Sequence, residues 1–576
     1  MIGLSRVAKL KEHILSEDIS GCSDVFTVFI SVCNKKERAL VFHGSGKTIS
    51  IAWNAAEKRL FDFQKKLVVK KKPYSAVWAK ADVVISCEEI KTADLSKIIV
   101  KNKWHNYTRV GISFDSGFSK AFLEAEVHGN KMIDYTFSQE DISNGNIDYS
   151  ANLINLGNIN SYLKSCPTGV PQIAEVPENI TIFTTKGYFC DEDNAVYELY
   201  SNNADFGRRL NPYVDDKVIN KLIVGASQYL AELIDAHGKF IYGYFPAFGA
   251  RMNNYNIVRH ASTLWSVINL YRISADDSLI PKIDKAVEYM CDCISYKNNQ
   301  TAYLVDKELD EIKLGADGVA VIMLTEYMDV FNTDKHKKLV ADLANGILEL
   351  QNAETGGFSH VLNAADFSKK DEFRTVYYDG EATFALARAY SCTKDKRFLD
   401  AAIAAVEYFI RENYVRHRDH WVAYSLNEIT KYVEDTRYFE FALRNIDENL
   451  EGIYHRETSF HTYLEMLMTG WQTLTRAKKL GISSDVIKNY DPTRFAQTIY
   501  RRARHMLNGY FYPEFAMYMK YPNTVVGSFH VRHHNFRVRI DDVQHFIGGY
   551  YFYCMLFDEI REYLTDDFIS GLENNP

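Results

Sequence analysis

From about residue 215 to the C-terminal end, amphipathic helical patterns alternate with helical patterns that are apolar on every side, and this alternation constrains the fold more than any other feature. Patterns with a single apolar stripe span 218–236, 281–296, 336–351, 397–413, 433–449 and 492–507. Between them lie six segments of small and apolar residues, 255–272, 316–331, 379–392, 420–432, 459–479 and 541–557. A helix apolar all round must be buried, whereas one with a single stripe lies outside. Six outer–inner alternations predict a closed double ring of helices, an (α/α)6 toroid. The inner segments recur irregularly, about 40 to 80 residues apart, which excludes a solenoid of identical repeats.

A chain of 576 residues is too long for one ordinary domain. Ahead of the toroid, residues 1–135 read as a small α/β domain. Asp24–Val32, Glu37–Phe42 and Asp82–Cys87 have strand composition, and Ile51, Ala55, Leu60 and Phe63 recur at helical spacing within 47–66. Val110–Phe114 and Ala121–Val127 flank Asp115-Ser116-Gly117, a hairpin pattern. Residues 136–214 change character: a polar linker rich in Ser, Asn and Gly, with Pro167, Pro171 and Pro177, runs into a short β-rich segment at Ile180–Phe183 and Ala195–Tyr200. The expected fold class is therefore multi-domain, a small N-terminal α/β domain followed by an all-α (α/α)6 toroid over 215–576.

The net charge of -8 argues against general affinity for nucleic acid or anionic membrane, and no apolar run approaches a membrane span. Charges every few residues near the N-terminus leave no secretory core, and nine scattered cysteines do not form a disulfide framework, so a cytoplasmic setting is expected. Aromatic residues reach 14%, with 38 tyrosines, whose flat face and hydroxyl suit a sugar-binding cleft.

A toroid has a funnel where its inner helices begin. The six beginnings are Asn253–His260, Leu314–Gly318, Tyr377–Glu381, Arg418–Trp421, Arg456–His461 and Arg539–His545, and each carries a carboxylate, a histidine or an arginine. Asp317, Asp379, Asp419 and Asp541 have the alternative of capping helix ends. Capping does not require His260, His420, His461 and His545 to recur at the same end of four inner helices, and a titratable cluster at one mouth is the mark of an active site. The candidate acid–base groups are Asp317, Asp379, Glu381, His420, His461, Asp541, Asp542 and His545. Tyr255, Tyr377, Tyr378 and Trp421 are candidates to stack on sugar rings, His260 to contact substrate, and Arg259 and Arg539 to hold an acidic group. Gly44-Ser45-Gly46-Lys47-Thr48 has the strand-to-helix context of a phosphate loop, but Val41 stands where that motif needs glycine, so a turn is expected. His530, His533 and His534 fit no metal-ligand spacing and read as a basic rim; no metal or cofactor is expected.

With Gln351-Asn352-Ala353-Glu354-Thr355-Gly356-Gly357-Phe358 and Gly380-Glu381-Ala382, residues 215–565 resemble the six-hairpin (α/α)6 superfamily of glycoside hydrolases, sugar epimerases and polysaccharide lyases. The resemblance implies a carbohydrate-active enzyme, a glycosidase or a sugar epimerase acting on an acidic or polymeric glycan, with a sugar or polysaccharide as its partner and neither nucleic acid nor membrane. The alternative is a non-catalytic glycan-binding or scaffold protein of a surface-polysaccharide pathway. Hydrolysis needs two carboxyl groups across the sugar, such as Asp317 with Asp379 or Glu381, or either with Asp541 or Asp542. Epimerisation needs a base and an acid at an acidic C–H, a task suited to histidine.

Overall fold

The computed structural model describes residues 4–22, 24–70, 74–102, 108–134, 153–166, 170–202, 204–211, 213–374 and 376–574. The C-terminal part is the (α/α)6 toroid. Its outer–inner pairs are Asp216–Glu232 with Ile257–Ser274, Ile280–Cys291 with Leu314–Val330, Lys337–Leu350 with Tyr377–Thr393, Lys396–Arg411 with His420–Ile429, Thr436–Tyr454 with Thr462–Leu480, and Pro492–Met506 with Ile540–Arg561. Each inner helix packs on the next, and Ile540–Arg561 packs back on Ile257–Ser274, which closes the ring. Side-chain caps start the outer helices at Asp215, Asp395, Asp435 and Asp491. Two inner helices are capped the same way, by Asn256 and Asp419.

Glycines let the inner helices approach closely. A Cβ at Gly380 would lie 2.6 Å from the Cβ of Trp421 and 2.7 Å from the backbone nitrogen of Val422 on the neighbouring inner helix. Gly380→Ala should therefore force those helices apart and cost about 1–3 kcal/mol, as overpacking does. The change is read as a lowered urea midpoint, and an unaltered midpoint would refute this account of the packing.

In the N-terminal domain one antiparallel sheet runs Leu40–Gly46, Phe26–Cys33, Trp78–Lys91, Asn179–Cys190, Gly111–Ser113 and Ala121–Phe122, with Val196–Glu198 also on Asn179–Cys190. Helices Leu4–Ser16 and Ile49–Val69 cover one face through Leu10, Ile14, Trp53 and Leu60. The other face, with Phe29, Trp78, Phe183 and Phe189, packs on Met517 and Tyr518 from the chain between the last two toroid helices. Burial on both faces explains why Phe26–Cys33 is almost continuously apolar. Polar contacts fix the two parts together: the Tyr518 hydroxyl lies 2.8 Å from the Ser31 hydroxyl. The guanidinium of Arg38 donates to carbonyls of Gly129, Ala247 and Tyr518.

Several local expectations change. The β-rich piece near 180 is a twelve-residue strand in the middle of the sheet, paired with Trp78–Lys91, so the N-terminal sheet draws on residues well beyond 135. Gly187, which interrupts its pattern in the sequence, sits opposite Asp82, where a Cβ would come within 2.7 Å of the carboxylate. Residues 135–152, which hold much of the expected linker, lie outside the described residues. The strand expected over Ala121–Val127 stops at Phe122, because Glu124–Gly129 is helical and the Glu126 carboxylate accepts from the Leu123 backbone at 2.9 Å. The cysteines are not all free: Cys22 and Cys87, 65 residues apart, are disulfide-bonded. At Gly44–Thr48 the strand turns into a helix capped by Thr48, and Gly44 lets Ala52 and Ala56 press onto the strand. Among the described residues no helix is long and apolar enough to cross a membrane.

Candidate active site

The inner helices begin around a cavity of about 520 Å³. Arg259, Tyr377, Tyr378, Glu381, His420, Trp421, His461, Arg539, Asp541, Asp542 and His545 line it, joined by Arg374, Arg537, His533 and His534, which lie outside the expected catalytic and substrate-binding set. Asp317, Asp379, His260 and Tyr255 do not line it, and each has a structural occupation instead.

Asp317 is buried on the far side of its helix and accepts from the Leu304 backbone at 2.6 Å; burial pushes its carboxyl well above the usual range. Asp379 is held behind the cavity wall by His360 Nε2 at 2.7 Å and by the Tyr414 hydroxyl. The Nδ1 of His360 accepts from the Arg374 backbone at 3.0 Å, so Asp379 supports a wall residue and does not face the cavity. His260 accepts from the Tyr255 hydroxyl at 2.7 Å and donates from Nε2 to the Ala286 carbonyl at 2.9 Å. Burial lowers its pKa to about 4, so this ring is neutral and structural. Of the four aspartates that might cap, Asp419 does so, accepting from the Trp421 backbone at 2.8 Å.

Inside the cavity the carboxyl groups divide by environment. Asp541 lies between Arg259, at 2.6 Å, and Arg539, at 2.5 Å. Asp542 contacts Arg537 at 2.9 Å, Arg539 at 3.1 Å and His461 at 3.5 Å. Burial alone would raise the Asp542 carboxyl, but the His461 hydrogen bond and the guanidiniums hold it well below the usual carboxylate range. Glu381 has no such partners. Burial, reinforced by nearby Asp419 and opposed only by Arg259, pushes it well above the usual range and keeps it protonated.

The histidines divide in the same way. His420 is buried in the wall, its rings packed against Trp421 and Tyr377, and neither ring nitrogen has a hydrogen-bond partner. Burial lowers its pKa far below the ordinary value, and the neighbouring His545 and His461 lower it further. His545, with its ring centroid 5.0 Å from that of His420, donates from Nδ1 to Glu465 at 2.7 Å. For His545 burial is outweighed by Glu465, with help from Asp541 and Asp542, and the pKa is raised. The other Glu465 oxygen accepts from the Tyr424 hydroxyl at 3.0 Å.

Glu465 is absent from the sequence-derived set, yet it decides the charge of His545. Its signal was present: a glutamate one turn after His461, in the mainly apolar first half of that inner helix. His420, Glu465 and His545 bring metal-ligand-type atoms within 4.8 Å of one another, the arrangement of this kind found among the described residues. The Nδ1 of His545 is hydrogen-bonded to the Glu465 carboxylate, whereas both His420 nitrogens are unpartnered, with Nε2 3.8 Å from Glu465. Of the basic loop, His533 and His534 reach the rim, whereas His530 is buried against Phe511.

No family model and no curated protein sequence matches the chain. Among solved structures it is similar to a cellobiose 2-epimerase from Spirochaeta thermophila, with 11% identity and a TM-score of 0.46 over 60% of this chain and 98% of that one. It is also similar to a D-mannose isomerase, with 10% identity and a TM-score of 0.44 over 60% of this chain and 98% of that one. An unsaturated glucuronyl hydrolase specific for heparin gives 12% identity and a TM-score of 0.40 over 60% and 97%. The (α/α)6 architecture of the C-terminal part stands on its own helix pairs and ring closure.

Proposed function

We propose that the protein is a carbohydrate-active enzyme that moves a proton at the carbon beside the carbonyl of an open-chain sugar, as an epimerase or aldose–ketose isomerase. The carrying observation is the pair of adjacent histidines, ring centroids 5.0 Å apart, whose environments push them in opposite directions, His420 toward the neutral ring and His545 toward the imidazolium. Two titratable groups separated in this way are matched to the roles of base and acid. His420 takes the proton from C2 as the C–H bond breaks, and the imidazolium of His545 gives its proton to the carbonyl oxygen, leaving a neutral enediol. Delivery of a solvent proton to C2 from the opposite face, with loss of the O1 proton back to His545 and release of the abstracted proton from His420 to solvent, yields the epimer. Return of a proton to C1, with loss of the O2 proton to His545, yields the ketose.

The cavity favours an acidic sugar. Four guanidiniums line it, Arg259, Arg537 and Arg539 sharing the carboxylates of Asp541 and Asp542 and Arg374 paired with Glu311, so cations outnumber the charged carboxylates of the lining. Tyr377, Tyr378 and Trp421 offer faces for the ring. Glycoside hydrolysis is the second reading, favoured by the protonated Glu381, a ready general acid.

The test is incubation with neutral and uronate sugars in D2O, followed by NMR. Deuterium at C2 together with epimer or ketose supports proton transfer; new reducing ends without exchange support hydrolysis and overturn it. The pH profile has a definite sign. His420 must be unprotonated, and its lowered pKa places that condition below neutrality; His545 must be protonated, and its raised pKa extends that condition above the ordinary histidine range. Thus kcat/KM should be flat through neutrality and fall on the alkaline side as His545 loses its proton. A profile rising through neutral pH to an alkaline plateau would contradict the assignment.

A further inference from the structure

The guanidiniums that line the funnel differ in the edge they leave open. The Nε–Nη2 edge of an arginine sets two parallel N–H donors against the two oxygens of a carboxylate. On Arg537 that edge is taken by Asp542, 3.2 Å from Nε and 2.9 Å from Nη2. On Arg539 it faces Asp541, 2.5 Å from Nε, and Asp542, 3.1 Å from Nη2. Arg259 turns Nε to Asp541 at 2.6 Å and Nη1 to the Tyr242 hydroxyl at 2.7 Å. Arg374 is different. Its Nη1 donates to Glu311 at 2.6 Å, while Nε and Nη2 hold no hydrogen bond among the described residues. Glu311 is buried and is not part of the lining, whereas the Arg374 side chain is 41% exposed and within reach of a solute.

We propose that Arg374 is the specificity-determining residue of the funnel and binds the carboxylate of a uronate through its Nε–Nη2 edge, an inference that rests on the reading of the funnel as a site for acidic sugars. The guanidinium is held in place from two sides. Glu311 fixes Nη1, and the Arg374 backbone N–H donates to His360 Nδ1 at 3.0 Å, on a ring anchored in turn by buried Asp379. A group ordered in advance loses little freedom when it binds. The wall carries one positive charge in surplus. Lys370 also pairs with Glu311, at 2.8 Å, and Lys313 pairs with Asp306, at 2.5 Å, so with Arg374 three cations stand against two carboxylates. A singly charged acid matches that surplus. Tyr377, three residues on, packs on His420 with ring centroids 5.8 Å apart, so the wall that carries Arg374 continues to the histidine pair. Arg259 and Arg539, the sequence-based candidates for holding an acid, are occupied by Asp541 and Asp542.

The test is calorimetric titration of the full chain with D-glucuronate, D-galacturonate and D-mannuronate, each beside its neutral hexose. The wild type should bind at least one uronate about tenfold more tightly than the matching hexose. Arg374→Gln should weaken that uronate by about tenfold or more and leave the hexose within about twofold. Arg374→Lys keeps the charge but not the paired donors, and should stay about fivefold or more weaker than wild type. Lys370→Gln removes an equal charge from the same cluster outside the lining, and should change uronate binding by no more than about twofold. Glu311 keeps Lys370 at 2.8 Å when the guanidinium is removed, so no buried carboxylate is stranded. Circular dichroism establishes that each variant is folded, and Arg374→Lys carries the comparison if Arg374→Gln is not. Uronate affinity indifferent to Arg374→Gln, restored in full by Arg374→Lys, or lost equally with Lys370→Gln overturns the role of Arg374 while the acidic-sugar reading stands. Equal binding of uronate and hexose by the wild type, or binding of neither, overturns that reading and the role of Arg374 with it.

Discussion

Replacing His420 by asparagine should lower kcat/KM on the responsive sugar by about 10²- to 10⁴-fold, the span of a lost general acid–base group. The expected effect on folding is small. Neither nitrogen of the His420 ring holds a hydrogen bond, so the substitution strands no partner of the ring and replaces one unpartnered polar group with another. What is lost is ring packing against Trp421 and Tyr377, centroids at 5.1 and 5.8 Å. Both ring nitrogens are closed off from solvent as well as unpartnered, so His420 acts on substrate only when a neighbouring wall side chain moves aside. A kcat/KM within a few-fold of wild type, in a variant that unfolds normally, would remove His420 from the reaction.

Glu465→Gln should be nearly as damaging although Glu465 does not line the cavity. The amide keeps the volume and still offers an oxygen to the Tyr424 hydroxyl, now 3.0 Å away. It removes the negative charge that holds the proton on His545 and can set an N–H against the His545 Nδ1–H, which favours the wrong tautomer. Loss of the orienting carboxylate in a histidine-based catalytic triad costs on the order of 10⁴ in kcat; a loss of about 10² to 10⁴ is expected here. The alkaline limb of the pH profile should also move to lower pH, a shift that a merely structural role for Glu465 would not produce. An unchanged limb would break the link between Glu465 and His545.

The architecture was legible in the sequence because burial all round and burial on one stripe leave different patterns, and these alternate through the toroid. The rotation of individual side chains was not. Successive helical residues are turned by about 100°, so neighbours at a helix start face different partners. Arg259 reaches the cavity while His260, one residue on, points to Ala286. Glu381 lines it while Asp379, two residues earlier, is turned to His360 and Tyr414. Counting polar residues at helix starts pointed to the mouth that holds the cavity but could not sort those lining it from those behind its wall. Glu465 escaped because it lies a turn deeper, where a polar residue reads as an exception in the mainly apolar first half of its helix. The Asn179–Cys190 strand escaped because its partner, Trp78–Lys91, is remote in sequence, and no local pattern encodes such a pairing.

The central claim, that one cavity holds a neutral and a protonated histidine side by side, is tested most directly by an NMR titration of the imidazole resonances, assigned with His420→Asn and Glu465→Gln. The account predicts that the His420 signals show the neutral ring well into the acid range, while His545 remains protonated above the pH at which an exposed histidine loses its proton. If both rings titrate together at the ordinary value, the division of roles is wrong and the acid–base assignment falls with it.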